Sequence, residues 1–123
     1  MIIGNQEYRF ALTVRASLEI SKMCPEGKME NIDRWLDGND ETVVSRFAKM
    51  AVVMNKAAIM QEHLGQPVTE WEHIPCLTEE MVLDLPFHQY KQMRAEMYHA
   101  LRGDSAVTVA VEPEKKRSVK KTT

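Results

Sequence analysis

The longest uninterrupted pattern of apolar positions lies between Glu41 and Leu64 and predicts one long helix. This segment contains neither proline nor glycine, and Gly65 and Pro67 follow it as a typical helix end. Apolar residues recur along it at helical spacing and trace one face: Val43, Phe47, Met50, Met54, Ala57 and Leu64. Other apolar residues widen that face beyond the stripe a surface helix needs. We therefore expect this helix to be central to the fold or shared with a partner.

Two shorter helices are predicted before the long one. Thr13 is a candidate N-cap for a helix of about ten residues, in which Ala16, Ile20 and Met23 share one side. Pro25 stops this helix because proline cannot continue the hydrogen-bond ladder. A short helical turn then follows over residues 31–37, with an apolar side formed by Ile32, Trp35 and Leu36.

Two further helices are predicted after the long one. Thr78 is a candidate N-cap for a short helix over residues 79–84, whose acidic first turn suits the helix dipole. Pro86 begins a last helix that runs to about Arg102 and ends at Gly103. Its predicted apolar side consists of Phe87, Tyr90, Met93, Met97 and Leu101.

The first twelve residues predict a β-hairpin. Ile2–Ile3 and residues 8–12 form its two strands, on either side of a turn over residues 4–7 that begins with Gly4. A lone two-stranded hairpin is marginal in water, so we expect this one to pack against the helices.

The character of the chain changes after Gly103. Val107, Val109 and Val111 alternate with smaller residues, a period-two pattern that could add a short strand. From Glu112 onward the chain is polar and charged, as in disordered segments. The sequence thus predicts a mainly α (α+β) fold: a compact helical domain with a short N-terminal β-hairpin over residues 1–103, followed by a flexible, basic C-terminal tail over residues 104–123.

Composition narrows the classes of protein. The 123 residues are 44% hydrophobic, enough for one domain with a real core. The net charge of −2 argues against a dedicated nucleic-acid binder, although residues 104–123 hold five basic and three acidic side chains. There is no apolar run of the ~20 residues that span a bilayer and no signal-peptide pattern, so we expect a cytoplasmic protein without membrane contact.

Candidate catalytic and metal-binding residues are few. His63 and His73 stand near several glutamates, but no spacing typical of a zinc site accompanies them. Nucleotide-binding and hydrolase motifs are absent from the sequence. Cys24 and Cys76 do not form a CxxC pair, and we expect each to be a small, mostly buried apolar residue. We accordingly predict no enzyme, no cofactor and no metal.

Methionine is unusually frequent, with nine in 123 residues. One interpretation is gap-filling in the core. The other is an adaptable apolar surface, because flexible thioether side chains repack around different partners. The broad apolar arc of the long helix favours the second, and the candidate partner-binding residues are Met50, Met54, Met93 and Met97.

The first twenty residues carry a distinctive order of motifs: Ile2-Ile3-Gly4-Asn5, Tyr8-Arg9-Phe10, Thr13-Val14-Arg15-Ala16 and Leu18-Glu19-Ile20. This opening resembles the tail assembly chaperones of long-tailed bacteriophages and prophages. Proteins of that kind begin with a small glycine-containing hairpin that leads directly into a helix of the form T-x-R-A-L/S-x-E-I/L. Their helical body and polar C-terminal end are also similar.

The resemblance implies a non-enzymatic function in the cytoplasm of a bacterial host cell. The protein would bind the phage tape-measure protein, keep its long apolar helices soluble and recruit tail-tube subunits during tail morphogenesis. Alternatives are another phage structural component, such as a head–tail connector or minor tail protein, or a small nucleic-acid-binding regulator. The sequence also leaves a homo-oligomer open.

Overall fold

Helices dominate the architecture. The computed structural model describes residues 1–38 and 40–103. Along this part of the chain two strands precede five α-helices: β1 (Ile2–Ile3), β2 (Gln6–Glu7), α1 (Val14–Met23), α2 (Ile32–Trp35), α3 (Glu41–Glu62), α4 (Glu79–Leu83) and α5 (Phe87–Arg102). The predicted class, mainly helical with an N-terminal hairpin, is confirmed. The predicted strand near Val107–Val111 and the predicted tail lie outside the described residues.

The hairpin is shorter than the sequence predicted. β1 and β2 pair antiparallel, with Ile2 opposite Glu7 and Ile3 opposite Gln6. The turn therefore contains two residues rather than four, and Gly4 takes a φ of +64° that glycine adopts without strain. The prediction that residues 8–12 form the second strand is wrong. Beyond Tyr8 the backbone leaves the hairpin and bonds to α3 instead.

Local capping signals fixed the beginnings of three helices. The Thr13 hydroxyl accepts a hydrogen bond from the Ala16 backbone N–H at 3.1 Å and starts α1. Asp40 caps α3 through the Val43 N–H at 3.0 Å, and Thr78 caps α4. Each cap satisfies a backbone donor that has no partner inside its helix.

The core is built around α3, which contributes ten of its 22 residues to the buried interior. Phe47 is fully buried, and its ring meets Tyr90 and Tyr98 of α5 edge-on at centroid distances of 6.2 and 5.9 Å. The Arg94 guanidinium lies 4.4 Å from the centre of the Phe47 ring. Helix α1 covers another side of α3 with Ala16 and Ile20, both buried. The long helix is therefore central to the fold.

Two residues that the sequence placed on the apolar sides of helices, Leu64 and Phe87, lie at the surface. α3 ends at Glu62, two residues earlier than predicted, so Leu64 falls in the following turn and is 80% exposed. Phe87 occupies the first position of α5 and is 61% exposed. At a helix end the neighbouring turn that would cover such a side chain is missing.

Replacing Phe47 with alanine should cost about 3–5 kcal/mol of unfolding free energy, because it leaves a cavity between α3 and α5. The control is Leu64→Ala, which removes an exposed side chain and should change stability by no more than about 0.5 kcal/mol. Urea denaturation of both variants measures the difference. Equal stabilities would show that α5 does not pack on Phe47.

Candidate protein-binding surfaces

The four methionines predicted to bind a partner all lie in the core. Met50 and Met54 on α3, and Met93 and Met97 on α5, each have an exposed fraction of 0%. They belong to one continuous apolar cluster that fills the space between these helices. Packing, the first of the two interpretations, accounts for their positions. A partner could reach these side chains only if the core opened, so an accessible surface must be sought elsewhere.

The functionally informative residue that sequence reasoning missed is Asn55. It lies within the apolar arc of α3 and is only 2% exposed. Its Nδ2 donates a hydrogen bond to the Arg9 carbonyl at 3.0 Å, and its Oδ1 accepts one from the Leu77 N–H at 2.8 Å. The Asn55 side chain thus connects two segments to the same point of α3: the segment that follows the hairpin, at Arg9, and the segment that precedes α4, at Leu77. The available signal was a single polar residue among apolar neighbours on its side of α3, Ala51, Ala58 and Ile59, because a polar residue must find partners when buried.

Two shallow clefts flank Arg9. One, of about 180 Å³, lies between the hairpin, the second half of α3 and residues 74–75. Arg9 closes its rim by an ion pair to Glu62, with Nη1 and Oε2 2.6 Å apart. Both partners are exposed, so this pair contributes little to stability.

The second cleft, of about 370 Å³, lies between the hairpin and the end of α5 and is lined by Phe10, Glu96 and His99 among others. At its edge the Met1 ammonium donates hydrogen bonds to the Tyr8 carbonyl at 2.6 Å and to Glu96 Oε1 at 3.2 Å. Glu96 thereby connects the hairpin to α5. The Met1 ammonium and the Glu96 carboxylate are thus engaged in holding the hairpin in place.

The candidate metal-binding residues do not converge. His63 Nδ1 lies 2.9 Å from Gln66 Oε1, a contact within the turn that follows α3. Within residues 1–38 and 40–103 no three His, Cys, Asp or Glu side chains are grouped so that they could hold a metal ion. In the same residues no helix is long and apolar enough to cross a membrane.

The two cysteines differ in environment. Cys24 is buried, as predicted, and burial raises the pKa of its thiol above the usual value. Cys76 is exposed, so the prediction of a buried residue is wrong there. Cys76 lies immediately before Leu77, whose side chain takes the buried position beneath that loop.

Large apolar side chains are exposed at seven positions in the described chain: Ile2, Val14, Leu18, Leu64, Val68, Leu83 and Phe87. Single exposed apolar residues are common and need no functional explanation. Two pairs merit attention because helices hold them at fixed positions. Val14 and Leu18 occupy the outer face of α1, one turn apart, and Leu83 and Phe87 flank the turn between α4 and α5.

We call Leu83, Phe87 and Lys91 the α4–α5 surface. The Phe87 ring stacks on Tyr90 with a centroid distance of 5.8 Å and an interplanar angle of 29°. The Lys91 ammonium lies 5.3 Å from the centre of the Phe87 ring. Contacts of this kind restrict an exposed aromatic ring, so Phe87 would lose less conformational entropy when a partner binds it. The sequence placed Phe87 on the apolar side of the last helix but did not single it out as a surface residue.

Comparison of the chain with protein-family models, with curated proteins and with solved structures finds no match.

Replacing Asn55 with alanine should destabilise the fold by about 2 kcal/mol or more, because the Leu77 N–H and the Arg9 carbonyl each lose a partner at a cost of about 1–3 kcal/mol. Asn31→Ala is a matched control, since Asn31 donates a single hydrogen bond to the Pro25 carbonyl at a half-buried site. Chemical denaturation compares the two variants. If Asn55→Ala costs no more than Asn31→Ala, Asn55 does not hold the three segments together.

Proposed function

We propose that this chain is a non-enzymatic tail assembly chaperone of a long-tailed bacteriophage or prophage. It binds the tape-measure protein and recruits tail-tube subunits in the cytoplasm of the bacterial host. The observation that carries the proposal is the N-terminal order of motifs, in which a glycine-turn hairpin and the segment 8–12 precede a helix that Thr13 caps. No other feature of the chain points as specifically to one kind of protein.

The motif residues divide into two groups, which supports a binding role. Tyr8, Ala16 and Ile20 are buried and join the hairpin and α1 to the core. Arg15 and Glu19 face solvent, so packing within the chain does not require them. Exposed positions within such a motif are available for contacts with other proteins.

The proposed site for the tape-measure protein is the α4–α5 surface. A chaperone of this kind must cover apolar stripes on long helices, and the exposed Leu83 and Phe87, at the two ends of the turn between α4 and α5, offer apolar area for that purpose. Aromatic anchors held in position contribute a large part of the binding energy at protein interfaces. Lys91 adds a positive charge at the rim, where it favours partners that carry acidic residues beside their apolar stripe.

The test is capture of a fragment of the tape-measure protein from the same phage by the full chain. Phe87→Ser should weaken binding about tenfold or more, because it removes the central anchor. Its melting temperature should stay close to that of wild type, because Phe87 is mostly exposed. Leu64→Ser is the matched control: it removes an equally apolar and more exposed side chain elsewhere and should bind as wild type does.

Two outcomes would contradict the proposal at different points. Absence of any capture by the wild-type chain would contradict the chaperone function. Equal capture by wild type and Phe87→Ser would retain the function but exclude the α4–α5 surface. Binding to duplex DNA that falls steeply with salt, without capture of the fragment, would support the nucleic-acid-binding regulator instead.

A further inference from the structure

Helix α1 has two apolar faces, only one of which is used within the chain. The inner face, with Ala16 and Ile20, is buried against α3. The outer face presents Val14 at 79% and Leu18 at 59% exposure, one helical turn apart. An ordinary surface helix is polar on its outer side, so this face lacks a cover.

The charges beside this face are opposite in sign and four residues apart. Arg15 and Glu19 are both exposed and lie on the same flank of the Val14–Leu18 stripe. In the part of the chain that the structure describes, neither side chain takes part in a hydrogen bond or an ion pair. Both charges therefore remain available to a partner.

We infer that the outer face of α1 pairs antiparallel with the same face of a second copy of this chain. Consider a two-fold axis that is perpendicular to the two helices and passes at the level of Ser17. Along the helix direction, this axis places residue 15 of one copy at the same level as residue 19 of the other. The same operation keeps each flank on its own side, so Arg15 of each copy faces Glu19 of its partner copy. The charge pattern is thus complementary to itself, as an isologous interface requires.

The same arrangement covers the apolar residues. The two Leu18 side chains meet near the axis, because each lies only about 1.5 Å from it along the helix. Val14 of each copy lies about 4.5 Å from the axis on the other side, next to Leu18 of the second copy. Four apolar side chains and two ion pairs form a small interface, so we expect a weak dimer in rapid exchange with monomer.

A second copy fits this face better than an arbitrary helix of another protein. The ion pairs of the dimer follow from the spacing of two residues of this chain alone. The inference goes beyond the proposed function and does not depend on it, because self-association is measurable with the purified chain.

The test is a charge exchange followed by sedimentation velocity of the full chain, up to roughly 1 mM, where a small interface still associates. Arg15→Glu places two glutamates opposite two glutamates, and Glu19→Arg places two arginines opposite two arginines. Two-fold symmetry doubles each effect, so either variant should self-associate about tenfold more weakly than wild type. Both substitutions are at exposed positions, and melting curves should confirm intact folds.

The decisive sample is an equimolar mixture of the two variants. Every facing pair is then opposite in charge, so the mixture should form a heterodimer at least as strong as the wild-type homodimer. Leu18→Lys should abolish association, whereas Leu64→Lys, a matched change at another exposed leucine, should leave it unchanged.

A wild-type chain that stays monomeric over the whole concentration series would overturn the inference. A mixture that associates no better than either variant alone would also overturn it, because the paired charges would then be absent. If the chain is monomeric and Leu18→Lys loses capture of a tape-measure fragment, the face belongs to that partner and the inference is wrong.

Discussion

Asn55 is the point at which the segments without regular secondary structure are joined to the long helix. Its amide bonds the Arg9 carbonyl on one side and the Leu77 N–H on the other, while the Ala11 N–H donates to the adjacent Met54 carbonyl at 3.1 Å. A buried amide must satisfy both ends at once, because an unmet donor or acceptor in the interior is costly. Both segments therefore have to be in place together.

The hydrogen bonds of Asn55 also determine where the outer face of α1 and the α4–α5 surface lie. The segment held at Arg9 and Ala11 leads directly into α1, and Leu77 leads directly into α4 and then α5. Fixing those two places directs Ile20 of α1 and Val82 of α4 into the core against α3. The opposite side of α1, and the turn between α4 and α5, are then left facing solvent. A rigid core with apolar residues displayed at its edges is suited to holding another protein.

Features controlled by neighbours in the chain were predictable, whereas features controlled by distant residues were not. Thr13, Thr78 and Gly103 act within one helical turn, and the helix ends they predict agree with the structure. Pairing in the hairpin was misassigned because Arg9 bonds to a residue 46 positions away, which no local pattern reveals. Helical periodicity places Phe87 on the apolar side of α5, but it cannot show that this side is left uncovered at the first turn of the helix.

For the candidate binding residues, too, the sequence predicted the helix faces but not which side chains are accessible. Helical spacing placed Met50, Met54, Met93 and Met97 on the apolar faces of α3 and α5, but neither spacing nor the frequency of methionine distinguishes a core from a binding groove. That distinction depends on whether the rest of the chain covers these side chains, and here Met54 lies inside the buried core cluster. Exposure at Val14 and Phe87 is likewise a property of the assembled fold.

Hydrogen–deuterium exchange resolved to single amides, on the chain alone and with a tape-measure fragment, tests the central claim most directly. The account predicts that the Leu77 and Ala11 amides, although outside the helices, exchange as slowly as those in the middle of α3 in both samples. It also predicts that the fragment adds protection around Leu83 and Lys91 and leaves the amides beside Met54 unchanged. Fast exchange at Leu77, or a loss of protection in α3 when the fragment binds, would contradict a rigid frame that binds through its surface.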